Sequence, residues 1–381
     1  MHILIIGECP HYLLNFRGHL IRTLASRGYR VTVCVPDAPA AVREGIENAG
    51  AHYQDIPLDR TGINPLRDLQ TLFFLYRLIK KIRPEIVFSY AAKPIIWGGI
   101  GARLAGCRCF CALFTGLGYA FTPSLKYKQR IVSRIVRTLY SISIKNTCIA
   151  FFQNPDDRQT LLQAGVLKEG TVSKIINGSG VDLTQYPVQP LPEKPVFLLV
   201  ARLIVDKGVH EFRQAAQIIK DKYPEARFIV VGGLDSNPAA ITEKELQTWI
   251  ESGDIEYWGQ LEDVLSALGK SQVFVLPSYR EGTPRSTLEA MSTGRPVITT
   301  DAPGCRETVQ HGVNGFLVPA KDPVALAEAM ERFVTDPALA ETMGTNSRMI
   351  AEQKYDVHKV NEEIIKTMEL SFKDGQAGGR I

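Results

Sequence analysis

Two glutamates eight positions apart, Glu281 and Glu289, stand in the stretch VFVLPSYREGTPRSTLEAMSTGRPVITTD from Val273 to Asp301. Ionised carboxylates accept hydrogen bonds from sugar diols without needing a metal. Five residues of the loop and helix start between them, Thr283, Pro284, Arg285, Ser286 and Thr287, together with Gly282, offer backbone donors and a cation. A helix that begins there turns free N–H groups and the positive end of its dipole toward a bound phosphate or diphosphate. Taken singly, each glutamate also has an ordinary reading, Glu281 as a solvated loop residue and Glu289 as an acid favoured early in a helix.

The elements that position these groups are legible. Val273 to Leu276 is a short apolar run stopped by Pro277, which predicts a buried strand. Ser278 to Pro284 is loop-forming, Arg285 to Thr293 is helical, and Gly294 with Pro296 closes the helix. Upstream, VFLLVARLIVDKGVHEF gives a strand ending near Ala201, then Arg202, then Lys207-Gly208 and a helix. Arg by its planar fork and Lys as a point charge are suited to hold a diphosphate, and both also fit as surface charges on a loop. FIVVGG is a buried strand ending in Gly232-Gly233.

The string PSYREGTPRSTLEAMSTGRPVI resembles the donor-site signature of the retaining, nucleotide-sugar-dependent glycosyltransferases of the GT-B fold, family 4. The resemblance implies an α/β chain of two Rossmann-like, doubly wound domains facing a cleft. It implies that Glu281, Arg202 and Lys207 carry catalysis, and that Gly233, Gly259, Gln260, Gly282 to Thr287 and Glu289 complete a donor site, Gly259 and Gln260 receiving the base. In this family the leaving phosphate accepts the acceptor's proton on the same face. No DxD triplet occurs in the chain. A site built on protein cations is therefore expected, with no metal and no cofactor beyond the nucleotide sugar, UDP-linked by resemblance.

The N-terminal half speaks to the acceptor. MHILII and RVTVCV are strand-like, with a loop from Gly7 to Gly18 and a helical segment from there to Arg27. Ligands of doubly wound sheets bind at such loops, where Asn15 and Arg17 are available, and His19 is expected to cap or pack against the helix. The loop lacks the Gly-Gly pair frequent in the family, and CALFTGLGYAFT lacks the family's histidine. TGLGYAF is similar instead to members that extend polyprenyl-diphosphate glycans, which puts Thr115, Gly116 and Gly118 on the acceptor side.

The 381-residue chain, 45% hydrophobic and 22% charged, has the composition of a globular two-domain protein. The expected domains are 1–188, 189–357 and a closing helix with a flexible tail, 358–381, hinged at the proline-rich stretch Pro187 to Pro195. No window of eighteen apolar residues predicts a membrane span, and the N-terminus reads as a strand rather than a signal peptide. Cys107, Cys109 and Cys111 alternate at strand period and, without an evident fourth ligand, read as buried thiols, consistent with a reducing compartment.

Residues 1–190 hold 23 Lys+Arg against 12 Asp+Glu, a net +11, and the remainder 21 against 28, a net −7. A basic half suits phosphorylated ligands, an anionic membrane or nucleic acid, and no RNP-like motif favours the last. On a helix from Lys126 to Ile144, Lys126, Arg130, Arg134 and Arg137 share one quadrant, with Tyr127, Ile131, Ile135, Leu139 and Ile142 as the opposite stripe. Such a helix is either a solvated surface helix or a docking face for an anionic membrane. The resemblance thus implies transfer of an N-acetylhexosamine to a polyprenyl-diphosphate-linked glycan by a cytoplasmic protein, peripheral on the inner face of a bacterial inner membrane. Hexosyl transfer to a soluble acceptor, or a nucleotide-sugar-binding module without turnover, are the rival readings.

Overall fold

The computed structural model describes all residues except 60–63, 119–120, 122–126, 146, 236, 238 and 378–381, and no side chains at 127–129 or 375–377. Two compact units result, Met1–Ser179 with His358–Ile381, and Gly180–Val357.

Near-continuous apolar runs such as HILII, IVFSY and CFCALF are the mark of parallel strands covered on both faces, and all their residues are buried. The first unit runs β1 His2–Ile6, α1 Pro10–Ser26, β2 Arg30–Cys34, α2 Ala40–Asn48, β3 His52–Gln54, α3 Pro65–Ile82 and β4 Ile86–Tyr90. It continues α4 Ala92–Ala105, β5 Cys109–Phe114, α5 Tyr127–Ile144, β6 Ile149–Phe152, α6 Pro155–Gln163 and β7 Ser173–Ile175. The parallel sheet has the order β3-β2-β1-β4-β5-β6-β7. Side chains alternate across it: Ile3 and Ile5 pack beneath α1 and α2, Leu4 and Ile6 beneath α3, α4 and α5.

The second unit runs β8 Val196–Val200, α7 Val209–Lys222, β9 Arg227–Val231, α8 Glu243–Glu251, β10 Glu256–Tyr257, α9 Leu265–Gly269 and β11 Val273–Leu276. There follow α10 Arg285–Ser292, β12 Val297–Thr300, β13 Gly315–Val318, α11 Pro323–Thr335 and α12 Pro337–Ile350. Its sheet, also parallel, has the order β10-β9-β8-β11-β12-β13. In both sheets the strand order reverses once, between β1 and β4 and between β8 and β11, and ligands of open α/β sheets bind in the crevice beyond that point.

The last helix, α13 Val357–Ala377, buries Val360, Ile364, Ile365 and Met368 in the first unit's core. It carries helical structure through Asp374 to Ala377, where a flexible tail was expected to begin.

The proline-rich stretch is not where the units divide. The chain changes unit at Ser179/Gly180, ahead of the expected 188/189. Gln189 donates its N–H to the Thr293 carbonyl at 3.1 Å. The fully buried Arg295 guanidinium donates to the carbonyls of Gln189 at 2.6 Å and Pro190 at 2.8 Å. Proline lacks a donor but keeps its carbonyl, so a stretch that composition marks as a linker is here fastened within the second unit by a backbone bond and by the Arg295 guanidinium.

Candidate active site

In the second unit the implied donor residues gather at the carboxyl edge of the sheet. Lys207 follows β8 and Glu281 follows β11, the two strands that flank the reversal of strand order. Their ammonium and carboxylate are in direct contact, with side chains 19% and 12% exposed. Arg202, after β8, donates to Asp235 after β9 at 2.8 Å. Gly233 and Gln260 adjoin so closely that a Cβ at 233 would meet the Gln260 amide oxygen at 2.6 Å. Gly232 donates to the Gly259 carbonyl at 2.9 Å. The structure thus joins Lys207 to Glu281 and the 232–233 turn to 259–260.

The loop from Ser278 to Pro284 is braced from several sides. The Tyr279 N–H donates to the Asp206 carbonyl and the Glu281 N–H to the Pro303 carbonyl, both at 2.9 Å. The Tyr279 hydroxyl donates to Glu211 on α7 at 2.7 Å, and the Lys321 ammonium lies 4.7 Å from the Tyr279 ring centre. Two glycines in the left-handed region let loops close on one another: a Cβ at Gly208 would collide with the Pro277 carbonyl, and one at Gly304 with the Glu281 carbonyl. Tyr279, Glu211 and Asp235 were not singled out from sequence. Tyr279 lay inside the quoted string and Glu211 in VHEF, but neither position carries a signal of its partner.

Past the loop, Pro284 is the N-cap of α10, and its first turn sets backbone donors and the dipole at the same edge. The Thr287 and Ser278 hydroxyl oxygens are buried without a protein partner. Glu289, one turn in, accepts from Arg285 at 2.8 Å and from the Tyr186 hydroxyl. Burial dominates over these two partners and holds its carboxyl above the usual carboxylate range. Asp182, near the start of this unit, caps a turn by accepting from the Thr184 N–H at 2.8 Å.

In the first unit, Asn15 and Arg17 lie on α1 rather than in a loop. The helix starts at Pro10 because proline is pre-organised for the first helical position, and Gly18 is carried in its interior. Arg17 is 2% exposed, its guanidinium 5.1 Å from the Tyr90 ring centre. Tyr90 ends β4, so the pair sits at this sheet's own reversal point. His19 packs edge-on against His358 of α13, with ring centres 5.8 Å apart. Thr115, Gly116 and Gly118 follow β5, both glycines with positive φ. Tyr119 and Ala120 of the TGLGYAF match, and Thr122, lie outside the described residues.

On α5, Arg130 and Arg134 are exposed, whereas Arg137 turns toward the core and stacks 5.2 Å from the Phe121 ring centre. The quadrant of four cations therefore does not present as one face, and Lys126 lies outside the described residues. Three residues of the opposite stripe face outward: Ser133, Tyr140, Ser143 and Ile144 are buried, Ile131, Ile135 and Ile142 are exposed, Leu139 is half-buried against the core, and the Tyr127 side chain lies outside the described residues. All seven cysteines are free thiols, with Cys109 and Cys111 sulfurs 3.7 Å apart.

Known proteins with this pattern identify the scaffold. A family profile described as glycosyl transferases group 1 matches residues 194–336, and one described as glycosyl transferase 4-like matches residues 4–153. An Escherichia coli UDP-Gal:alpha-D-GlcNAc-diphosphoundecaprenol alpha-1,3-galactosyltransferase is 30% identical over 308 residues, 77% of each chain. The chain belongs to the group 1, family 4-like glycosyltransferases.

The glycosyltransferase is also 27% identical, over 98% of its length and 100% of the other, to an enzyme of Campylobacter jejuni subsp. jejuni. That enzyme is N,N'-diacetylbacillosaminyl-diphospho-undecaprenol alpha-1,3-N-acetylgalactosaminyltransferase. Among solved structures, Anabaena Alr3699/HepE in complex with UDP-glucose superposes with a TM-score of 0.76 at 21% identity, covering 97% of this chain and 99% of that one. Sucrose-phosphate synthase from Thermosynechococcus elongatus does so at 0.79 and 20% identity, covering 98% and 100%. The two doubly wound units are those of the GT-B fold.

Proposed function

We propose that this glycosyltransferase transfers a sugar, with N-acetylhexosamine as the leading candidate, from a UDP-linked donor to a polyprenyl-diphosphate-linked glycan, with retention and without a metal ion. The observation that carries the reading is the Lys207–Glu281 contact at the point where strand order reverses in the second unit. The names of these two relatives, each acting on a diphospho-undecaprenol-linked sugar, support the acceptor class.

In this mechanism the bond from the anomeric carbon to the β-phosphate oxygen breaks, and negative charge grows on the diphosphate. Lys207, Arg202 and the N-terminus of α10 meet that charge. Glu281 leaves part of its ion pair to orient the sugar, and Glu289 accepts from the ribose hydroxyls. The acceptor hydroxyl forms the new bond on the same face, and its proton passes to the departing phosphate oxygen. Arg17, Asn15 and the 115–118 turn meet the acceptor on the first unit, and Arg130 and Arg134 favour an anionic membrane surface on the cytoplasmic side.

The test is a panel of nucleotide sugars with a short-chain lipid-diphosphate sugar, scored by mass spectrometry and by NMR of the new anomeric centre. Transfer in the presence of EDTA with an α-linked product from an α-linked donor is expected. Activity lost to EDTA and restored by manganese, or an inverted product, overturns the mechanism.

A pH dependence follows from Glu289. A carboxyl whose folded-state pKa is raised favours its protonated form in the fold, so its contribution to stability is present below the unfolded pKa and lost as pH rises through the folded one. Acceptance from a diol needs the opposite, ionised form. Donor KM is therefore expected to fall as pH rises through that raised pKa. Glu289→Gln should flatten the profile and raise donor KM by about 10- to 100-fold, the worth of one charge-assisted bond. A Gln variant that keeps the wild-type profile removes Glu289 from the ribose.

A further inference from the structure

We propose that Asp235 is a positioning residue of the donor site: its carboxylate holds one nitrogen of Arg202, so that the rest of the guanidinium is presented in one conformation to the β-phosphate of the donor. The proposal rests on the reading of Arg202 as a diphosphate-binding group given above, and deepens it by naming what aims that group.

Both partners ride on one piece of backbone. Arg202 follows β8, and the chain leaving β9 pairs with the residues just after it. Leu203 donates its N–H to the Gly233 carbonyl at 3.1 Å, Val205 to that of Ala239 at 2.9 Å, and Ile241 to that of Leu203 at 2.9 Å. Leu203 and Ile204 are buried, which roots this stretch in the core. Asp235 is held independently of the arginine. Its Oδ1 accepts the Asn237 N–H at 2.9 Å, and the Asn237 side chain in turn accepts the Ala239 N–H at 2.9 Å. In each of these two turns a short polar side chain stands in for a backbone carbonyl. Oδ2 then accepts from Arg202 Nη1 at 2.8 Å. Asp235 thus divides its two oxygens, one serving the loop and one the cation.

Stability does not account for the pair. The Arg202 and Asp235 side chains are 38% and 19% exposed, and ion pairs this open to water add little to folding. Nor does attraction, since an acid beside a diphosphate site repels the ligand. What the contact supplies is direction. Every torsion of an arginine stem has several staggered wells, and a cation that visits its binding conformer only part of the time binds more weakly by that fraction. Among the described residues the Arg202 side chain makes no other hydrogen bond. With Nη1 engaged, Nε and Nη2 remain along the other edge of the fork, two parallel donors matched to two oxygens of one phosphate.

The test is Asp235→Asn in the full chain. The single amide oxygen of asparagine can keep the turn to Asn237, and its NH2 then has nothing with which to accept from Arg202. UDP and UMP binding by calorimetry are measured for wild type, Asp235→Asn, Arg202→Met and the double variant, together with their melting temperatures. Asp235→Asn should weaken UDP by about tenfold, leave UMP within about twofold and keep the wild-type melting temperature. In the Arg202→Met background the same change should have no further effect. The proposal is overturned if Asp235→Asn binds UDP as tightly as wild type or more so, if it loses UDP and UMP equally, or if it adds its own loss to that of Arg202→Met. If Arg202→Met itself leaves the preference for UDP over UMP intact, the diphosphate reading of Arg202 falls and the proposal with it. If Arg202→Met loses that preference and Asp235→Asn keeps it, only the role of Asp235 is removed. No acceptor enters the measurement, so an error in the acceptor class does not touch the result.

Discussion

Lys207→Met is expected to lower kcat/KM for the donor by about 10²- to 10³-fold, the usual cost of removing one fixed group that meets charge developing in a transition state. Two effects contribute. The ammonium is lost from the path of the departing diphosphate, and the Glu281 carboxylate, 12% exposed, loses the cation that offsets its burial. The double variant Lys207→Met/Glu281→Gln separates them. If the damage came only from the stranded carboxylate, the double variant would be no worse than Glu281→Gln alone; if Lys207 meets the diphosphate, it falls well below Glu281→Gln. UDP release measured with and without acceptor, together with UDP binding by calorimetry, gives both quantities. A single variant within threefold of wild type would detach Lys207 from the chemistry.

Arg295→Met should be the most damaging substitution for the fold of the second unit, by about 3–5 kcal/mol. The guanidinium has no exposed surface and donates to five carbonyls, those of Gln189, Pro190, Leu268, Gly269 and Thr293. Burial pulls its pKa down to about 10, which still leaves it charged near neutrality. Methionine fills much of the volume but offers no donor, so five carbonyls lose a donor together, and of these Leu268 keeps the donors of Ser271 and Thr293 the Gln189 N–H. Arg295→Lys should recover only part of the loss, because a point charge cannot reach acceptors that a planar fork spans. A fall in the melting temperature of about 6–20 °C is the calorimetric expectation. A shift under 2 °C for the methionine variant would mean that water or rearranged backbone takes over these bonds.

Strand and loop at 273–284 were legible in the sequence because an apolar run, a stopping proline and a glycine-bearing turn are all local signals. What stands across from them was not. The contact of Glu281 with Lys207, and of Tyr279 with Glu211, joins residues 74 and 68 positions apart, and no spacing rule reaches that far. The same limit explains the misplaced hinge: four prolines within nine residues describe a stretch well by composition, but the residue that fastens it lies about a hundred positions downstream. On α1 the difficulty was local, an early Pro10 taken as part of a loop when it begins a helix. On α5 the periodicity was legible and the orientation was not, because a hydrophobic stripe says which residues share a face and leaves open whether that face meets the core.

Gly208 and Gly304 bear on any attempt to retarget the sugar preference. Each lies where a neighbouring carbonyl fills the space of a side chain, Pro277 against one and Glu281 against the other. A library aimed at new donors would keep both fixed and vary Thr283, in the loop they hold in place. Randomising the glycines would mostly return misassembled protein, and a screen would mistake that for narrow specificity.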